Sequence, residues 1–147
     1  MKTSIEENSS IPRAALDTNI VVRFLTGDDP HKQVRAKVLF KQAEVGHIQL
    51  YIPNTIIAEI VFVLSSPRLY NISRAKIYAL LVSLFNKAAI KLESEALVLQ
   101  ALKVYKDYSI NFGDAILIVY SEKMKIRDIY SYDHDFDKVK SIRRLEP

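Results

Sequence analysis

Apolar and polar positions along the chain switch repeatedly between a strand period and a helix period. The run Ala14-Ala15-Leu16 predicts a strand over 13–17, and Ile20 to Leu25 a short helix closed at Gly27. Asp28-Asp29-Pro30 reads as a turn and helix start. A helix follows over 31–45, with Val34, Val38, Leu39 and Ala43 expected on its inner side and Gly46 at its end. Residues 48–52 alternate as a strand. Pro53-Asn54-Thr55 opens a helix that stops before Pro67, and 68–72 form a loop. Ser73 caps a helix to about Asn86 with Ile77, Leu80, Leu81 and Leu84 as its stripe. A strand over 89–92 is followed by a helix over 95–107, with Leu99, Leu102 and Val104 facing in. Asn111 starts another helix. Residues 129–132 form a strand, 134–139 a turn or short helix, and 141–144 a last small strand. Short apolar strands alternating with helices predict an α/β fold whose parallel sheet is covered on both faces. In such a sheet the ligand site lies at the carboxyl ends of the strands.

Composition narrows the chemistry. The chain has 147 residues, 49% hydrophobic and 26% charged, which suits one globular domain. It has no cysteine, excluding disulfides and thiolate metal sites, and only 3 glycines, leaving no phosphate-binding glycine loop. No apolar run reaches the ~18 residues of a membrane span. The polar start MKTSIEENSS lacks the apolar core of a signal peptide, so the expectation is a cytoplasmic protein. Residues 1–10 are expected to be a flexible lead-in, and 11–147 one domain.

Against that background several acids stand out. Asp17 interrupts an apolar run, although Asp is a poor strand residue and is rarely buried unpaired. It is expected at the end of the first strand, where it can also cap the next helix. Glu59 lies in IIAEIVFVL, a helix apolar almost all round, and is expected to point into the protein or a cleft. A buried salt bridge would be its structural explanation. Asp114 follows Asn111 at the spacing of a capping box. Asp133, Asp135 and Asp137 follow the strand 129–132, with Asp133 expected as the first residue past it. Carboxylates converging on one apolar-walled cleft repel one another unless a divalent cation joins them or their pKa values rise. All-oxygen ligands point to Mg²⁺ or Mn²⁺, and phosphodiester hydrolysis uses this arrangement.

Net charge is +4. Setting aside Asp17, Glu59, Asp114, Asp133 and Asp135 leaves 12 acids against 21 Lys and Arg, an acidic pit in a basic surround. That suits RNA or DNA. Candidate basic contacts are Arg13, Arg23, Lys32, Arg68, Arg74 and Lys138.

Four segments in order resemble the PIN-domain ribonucleases, in particular the VapC-type toxins of toxin–antitoxin pairs. They are LDTNIVVRFLTGDDP with Asp17, PNTIIAEIVFVL with Glu59, NFGDAILIVYSEK with Asp114, and YSYDHDFDKV with Asp133 and Asp135. The resemblance runs from Leu16 to about Lys138. It implies a PIN-like three-layer α/β/α sandwich with a short, mostly parallel central sheet. It also implies a Mg²⁺- or Mn²⁺-dependent endoribonuclease. Asp17, Glu59, Asp114 and Asp133 would be the catalytic metal ligands, Asp135 a less constant one, and Thr18, Asn19 and Ser131 would orient carboxylates or water. A homodimer and a cognate antitoxin inserted in the cleft complete the expectation.

Three other readings compete. A haloacid dehalogenase-type phosphohydrolase wants a second Asp two residues after the first, where this chain has Asn19. A catalytically silent PIN-fold module would bind RNA or a partner without cutting, but the acid set is intact. In the third, the acids serve only as caps and salt bridges.

Overall fold

A computed structural model describes residues 11–87 and 90–147, so the expected lead-in at 1–10 and the first residue of the strand expected at 89–92 lie outside the described residues. Asp17 follows a short strand β1 (Arg13–Ala15) and caps α1 (Thr18–Thr26), its side chain accepting from the Thr18 N–H. Gly27 closes α1 in the left-handed region at φ +66°, which a residue without Cβ adopts freely. The Asp29 carboxylate accepts from the Lys32 N–H and, with Pro30 in the first turn, starts α2 (Pro30–Glu44). There follow β2 (Gln49–Ile52), α3 (Asn54–Ser65), α4 (Arg74–Lys87), β3 (Ile90–Leu92), α5 (Glu95–Tyr108) and α6 (Phe112–Lys123). The chain finishes with β4 (Asp128–Tyr130), a 3₁₀ turn (His134–Lys138) and β5 (Arg143–Leu145).

The architecture is the expected α/β/α sandwich with a short sheet, and every strand pair is parallel. The sheet is in two pieces: β1-β2-β3 with β2 central, and a separate pair β4-β5. β2 lies between two strands, so Leu50 and Ile52 are buried, and with Ile57, Ile60, Leu64, Ile77, Leu81 and Leu102 they fill the main core. Each such side chain contributes about 1.5–3 kcal/mol by leaving water. A smaller core of Ile110, Ile118, Ile129, Phe136, Val139 and Ile142 packs the β4-β5 pair against α6. Helix α6 serves both cores, since Ala115 and Val119 face the main one and Ile118 the other.

Several expectations are corrected here. β1 ends at Ala15, so Asp17 stands two residues past the strand, although the Leu16 N–H still donates to the Tyr51 carbonyl at 2.8 Å. β4 ends at Tyr130, so Asp133 is the third residue beyond it, not the first. On α2, Val34 and Val38 are exposed, and Ala36, Phe40 and Ala43 pack inward. On α5 the inner side is Val98, Ala101, Leu102 and Tyr105, with Leu99 and Val104 half-buried. Both helices carry apolar residues on more than one side, so several stripes fit the period and neighbouring elements decide which is covered.

Candidate active site

Asp114 occupies the first turn of α6, and Asn111 caps that helix by accepting from the Asp114 N–H at 2.8 Å. Among the described residues the reciprocal bond from the Asn111 N–H to the Asp114 side chain is not made. The capping box is therefore half-formed and leaves the Asp114 carboxylate for another use. Burial raises its pKa above the usual carboxylate value, and the charges of Asp133 and Asp135 raise it further. Asp114 thus stands where its ionisation is disfavoured, with two further carboxylates near enough to act on its charge, even though a helix N-terminus favours a negative charge.

Asp133 and Asp135 are placed by local bonding. The Ser131 Oγ accepts from the Asp133 N–H, and Asp133 Oδ1 accepts from the Asp135 N–H, capping the 3₁₀ turn. Arg144 of β5 anchors the same segment: its Nη1 donates to the Ser131 carbonyl and its Nε reaches both oxygens of Asp137 at 3.2 Å. Lys138 pairs with Asp135 at 2.8 Å, so one expected basic contact stands directly beside the acids.

Asp17 Oδ1 accepts from the Thr18 N–H at 2.8 Å, so the capping reading of Asp17 is correct. One bond to one oxygen leaves the rest of that carboxylate open. The adjoining Thr18 Oγ1 is buried without a hydrogen-bond partner. A buried orphan hydroxyl beside a carboxylate is what a polar ligand would satisfy. Asn19 is exposed and lines the groove between α1 and α2.

Glu59 is exposed, not buried, and among the described residues it makes no ion pair, so its expected place inside the protein and the buried salt bridge are both corrected. It belongs to an exposed line on α3 formed by Thr55, Glu59 and Phe62. The apolar sequence around it is explained by the other sides of α3, which bury Ile57, Ile60, Val61 and Leu64.

The fit of these side chains to a divalent cation is mixed in a definite way. The donors are hard oxygens, and the raised Asp114 pKa marks a place where positive charge would be welcome. Yet among the described residues no three Asp, Glu or His side chains stand close enough together to enclose an ion. What joins the candidate acids in this structure is the action of Asp133 and Asp135 on the charge of Asp114.

The remaining basic candidates divide. Arg13 donates to the Tyr51 hydroxyl, Arg23 pairs with Asp28 at 2.6 Å, and Lys32 lies 3.7 Å from Asp29. Arg68 is exposed. Arg74 is a structural residue: its Nη1 donates to the carbonyls of Tyr105 and Ile110, tying the end of α5 to the segment that leads into α6. Sequence reasoning missed Arg144 and Phe62. Nothing in a terminal Arg-Arg pair distinguishes the residue that braces a loop. Phe62 carried a usable signal, because it falls three residues from Glu59 and so on the same side of the helix.

The family model described as PIN domain matches residues 14–142. A VapC ribonuclease from Aquifex aeolicus (strain VF5) is 25% identical over 124 residues, covering 84% of this chain and 90% of that protein. No helix among the described residues is long and apolar enough to cross a membrane.

Proposed function

The chain belongs to the PIN domain family, and from that premise we propose that it is a metal-dependent endoribonuclease, the toxin of a VapBC-type toxin–antitoxin pair. The coupling of Asp114 to Asp133 and Asp135 carries this reading. Likeness to the VapC ribonuclease supports the substrate class. In this reading Asp17, Asp114 and Asp133 would hold a Mg²⁺ or Mn²⁺ ion, with Glu59 and Asp135 as further ligands, and the chemistry supplied there would be activation of water at neutral pH and neutralisation of charge at the phosphate. The protein's own contributions are positional. Asn111 sets the first turn of α6, Ser131 and Arg144 set the Asp133 segment, and Asp17 is fixed by its bond to the Thr18 N–H. Lys138 brings positive charge beside Asp135, where a phosphate would approach. A cytoplasmic homodimer held silent by its antitoxin completes the proposal.

The test is cleavage of total RNA by purified protein with Mg²⁺, with Mn²⁺ and with EDTA, beside Asp17→Asn. Discrete metal-dependent fragments, reduced by at least about 100-fold in the variant, are expected from the loss of a metal ligand. Unaltered cleavage by Asp17→Asn removes that residue from the site. RNA binding without cleavage under every metal favours the silent module.

A further inference from the structure

Next to the acids lies a cleft of about 600 Å³, bounded by α3 on one side and by the α5–α6 corner on the other. Val61, Ile72 and Phe112 give it apolar walls, and Arg74 and Asn111 add polar groups. Its size is that of a small-molecule subsite. Phe62 stands at its edge with 70% of its surface exposed, an unusual placement for a ring on a helix that otherwise buries its large apolar residues. The Arg74 guanidinium carbon lies 4.3 Å from the Tyr105 ring centroid, and both residues line the cleft.

The cleft reaches the acids through Asn111, which lines it and whose side-chain oxygen accepts from the Asp114 N–H at 2.8 Å. Phe62 is one helical turn beyond Glu59 on the same exposed line, about 4.5 Å along the axis. Phe62, Asn111 and Gly113 line the same cleft, so a group stacked on Phe62 shares it with the start of the helix that carries Asp114.

We propose that this cleft receives the nucleobase flanking the scissile phosphate, stacked on Phe62, and that Phe62 is a specificity-determining residue of the enzyme. The inference rests on the ribonuclease reading and deepens it. A nucleobase fits the observations: flat, apolar on its faces and polar at its edges. Single-stranded RNA is bound by stacking splayed bases on aromatic side chains while their edges find donors and acceptors. An extended peptide would need a row of backbone partners, and the cleft walls are side chains with an apolar majority.

The experiment uses the full chain and a short synthetic RNA that it cleaves, prepared in a series with one abasic nucleotide at each position near the cut. Wild type is expected to lose roughly 5- to 150-fold in kcat/KM, mostly through KM, when the abasic residue falls at the flanking position. Phe62→Ala should suffer a similar loss on the intact RNA, lose its discrimination against that abasic substrate, and flatten the base preference at sequenced cut sites. Phe62→Trp should restore all three. Because Phe62 is mostly exposed, neither substitution disturbs the core. Equal abasic penalties in wild type and Phe62→Ala overturn the proposal. So does a change of oligomeric state in Phe62→Ala with cleavage preference intact, since a second copy of the chain then covers the ring. A wild-type protein that cuts no RNA defeats the ribonuclease reading itself, whereas the other outcomes defeat only this inference.

Discussion

A carboxylate whose pKa is raised works against its own fold at neutral pH. Asp114 is such a group, crowded by burial and by Asp133 and Asp135. For an acid with a folded-state pKa above its unfolded value, the protonated form is favoured by folding. Stability is then highest at low pH and falls as pH rises through the raised value. Asp114→Asn should accordingly melt at or above the wild-type temperature in EDTA at pH 7, with the difference shrinking as the pH is lowered towards 4. Wild type should gain thermal stability from added Mg²⁺ or Mn²⁺, by about 2.7 kcal/mol at an ion concentration 100 times Kd. The variant should show neither that gain nor RNA cleavage. A melting temperature equally raised by metal in both proteins places the ion elsewhere. Asp114 and Asp133 were legible in the sequence as acids at the starts of elements next to apolar runs. Glu59 was legible as an odd acid but not in its orientation, because a helix apolar on all sides does not reveal which side its neighbours leave open.

The helices and strands themselves followed from periodicity, and several helices also have a clear start signal. Asp29-Pro30 before α2, Ser73 before α4 and Asn111 before α6 are such signals, and the side chains of all three accept backbone N–H groups in the structure. Ends of strands were less legible: three-residue strands have too few positions for a period to fix the boundary, so Asp17 and Asp133 both fall beyond where alternation places them. Ties between distant elements were invisible. Asp28, at the turn after α1, accepts from Tyr70 in the loop after α3, from Arg23 and from Thr26. The Tyr70 bond, followed by the Arg23 bond, lowers the Asp28 pKa to about 2. A depressed pKa contributes stability that is present above the unfolded value and lost as pH falls through the folded one. Acid unfolding between pH 4 and pH 2 should therefore be less steep in Tyr70→Phe than in wild type, with RNA cleavage at pH 7 within about twofold of wild type, as befits an exposed tie. Coincident acid titrations in the two proteins would show that the tie contributes nothing.

The molecule as a whole sets acids at the mouth of a basic body, with net charge +4. Lys and Arg side chains that neutralise phosphates release counterions from the RNA, so affinity for single-stranded RNA should fall with salt at a slope of about −0.7 per phosphate contacted. Binding of Asp114→Asn to a labelled RNA between 50 and 200 mM salt measures it, and a flat response would mean that the basic surround makes no phosphate contact. The same organisation spreads the site along the chain, from Asp17 near the first strand to Asp133 near the last. The Asp133 segment is braced by Arg144, a residue of β5. Arg144 lies far along the chain from Asp17, so removing its side chain leaves every candidate acid in place and takes away only the brace on the Asp133 segment.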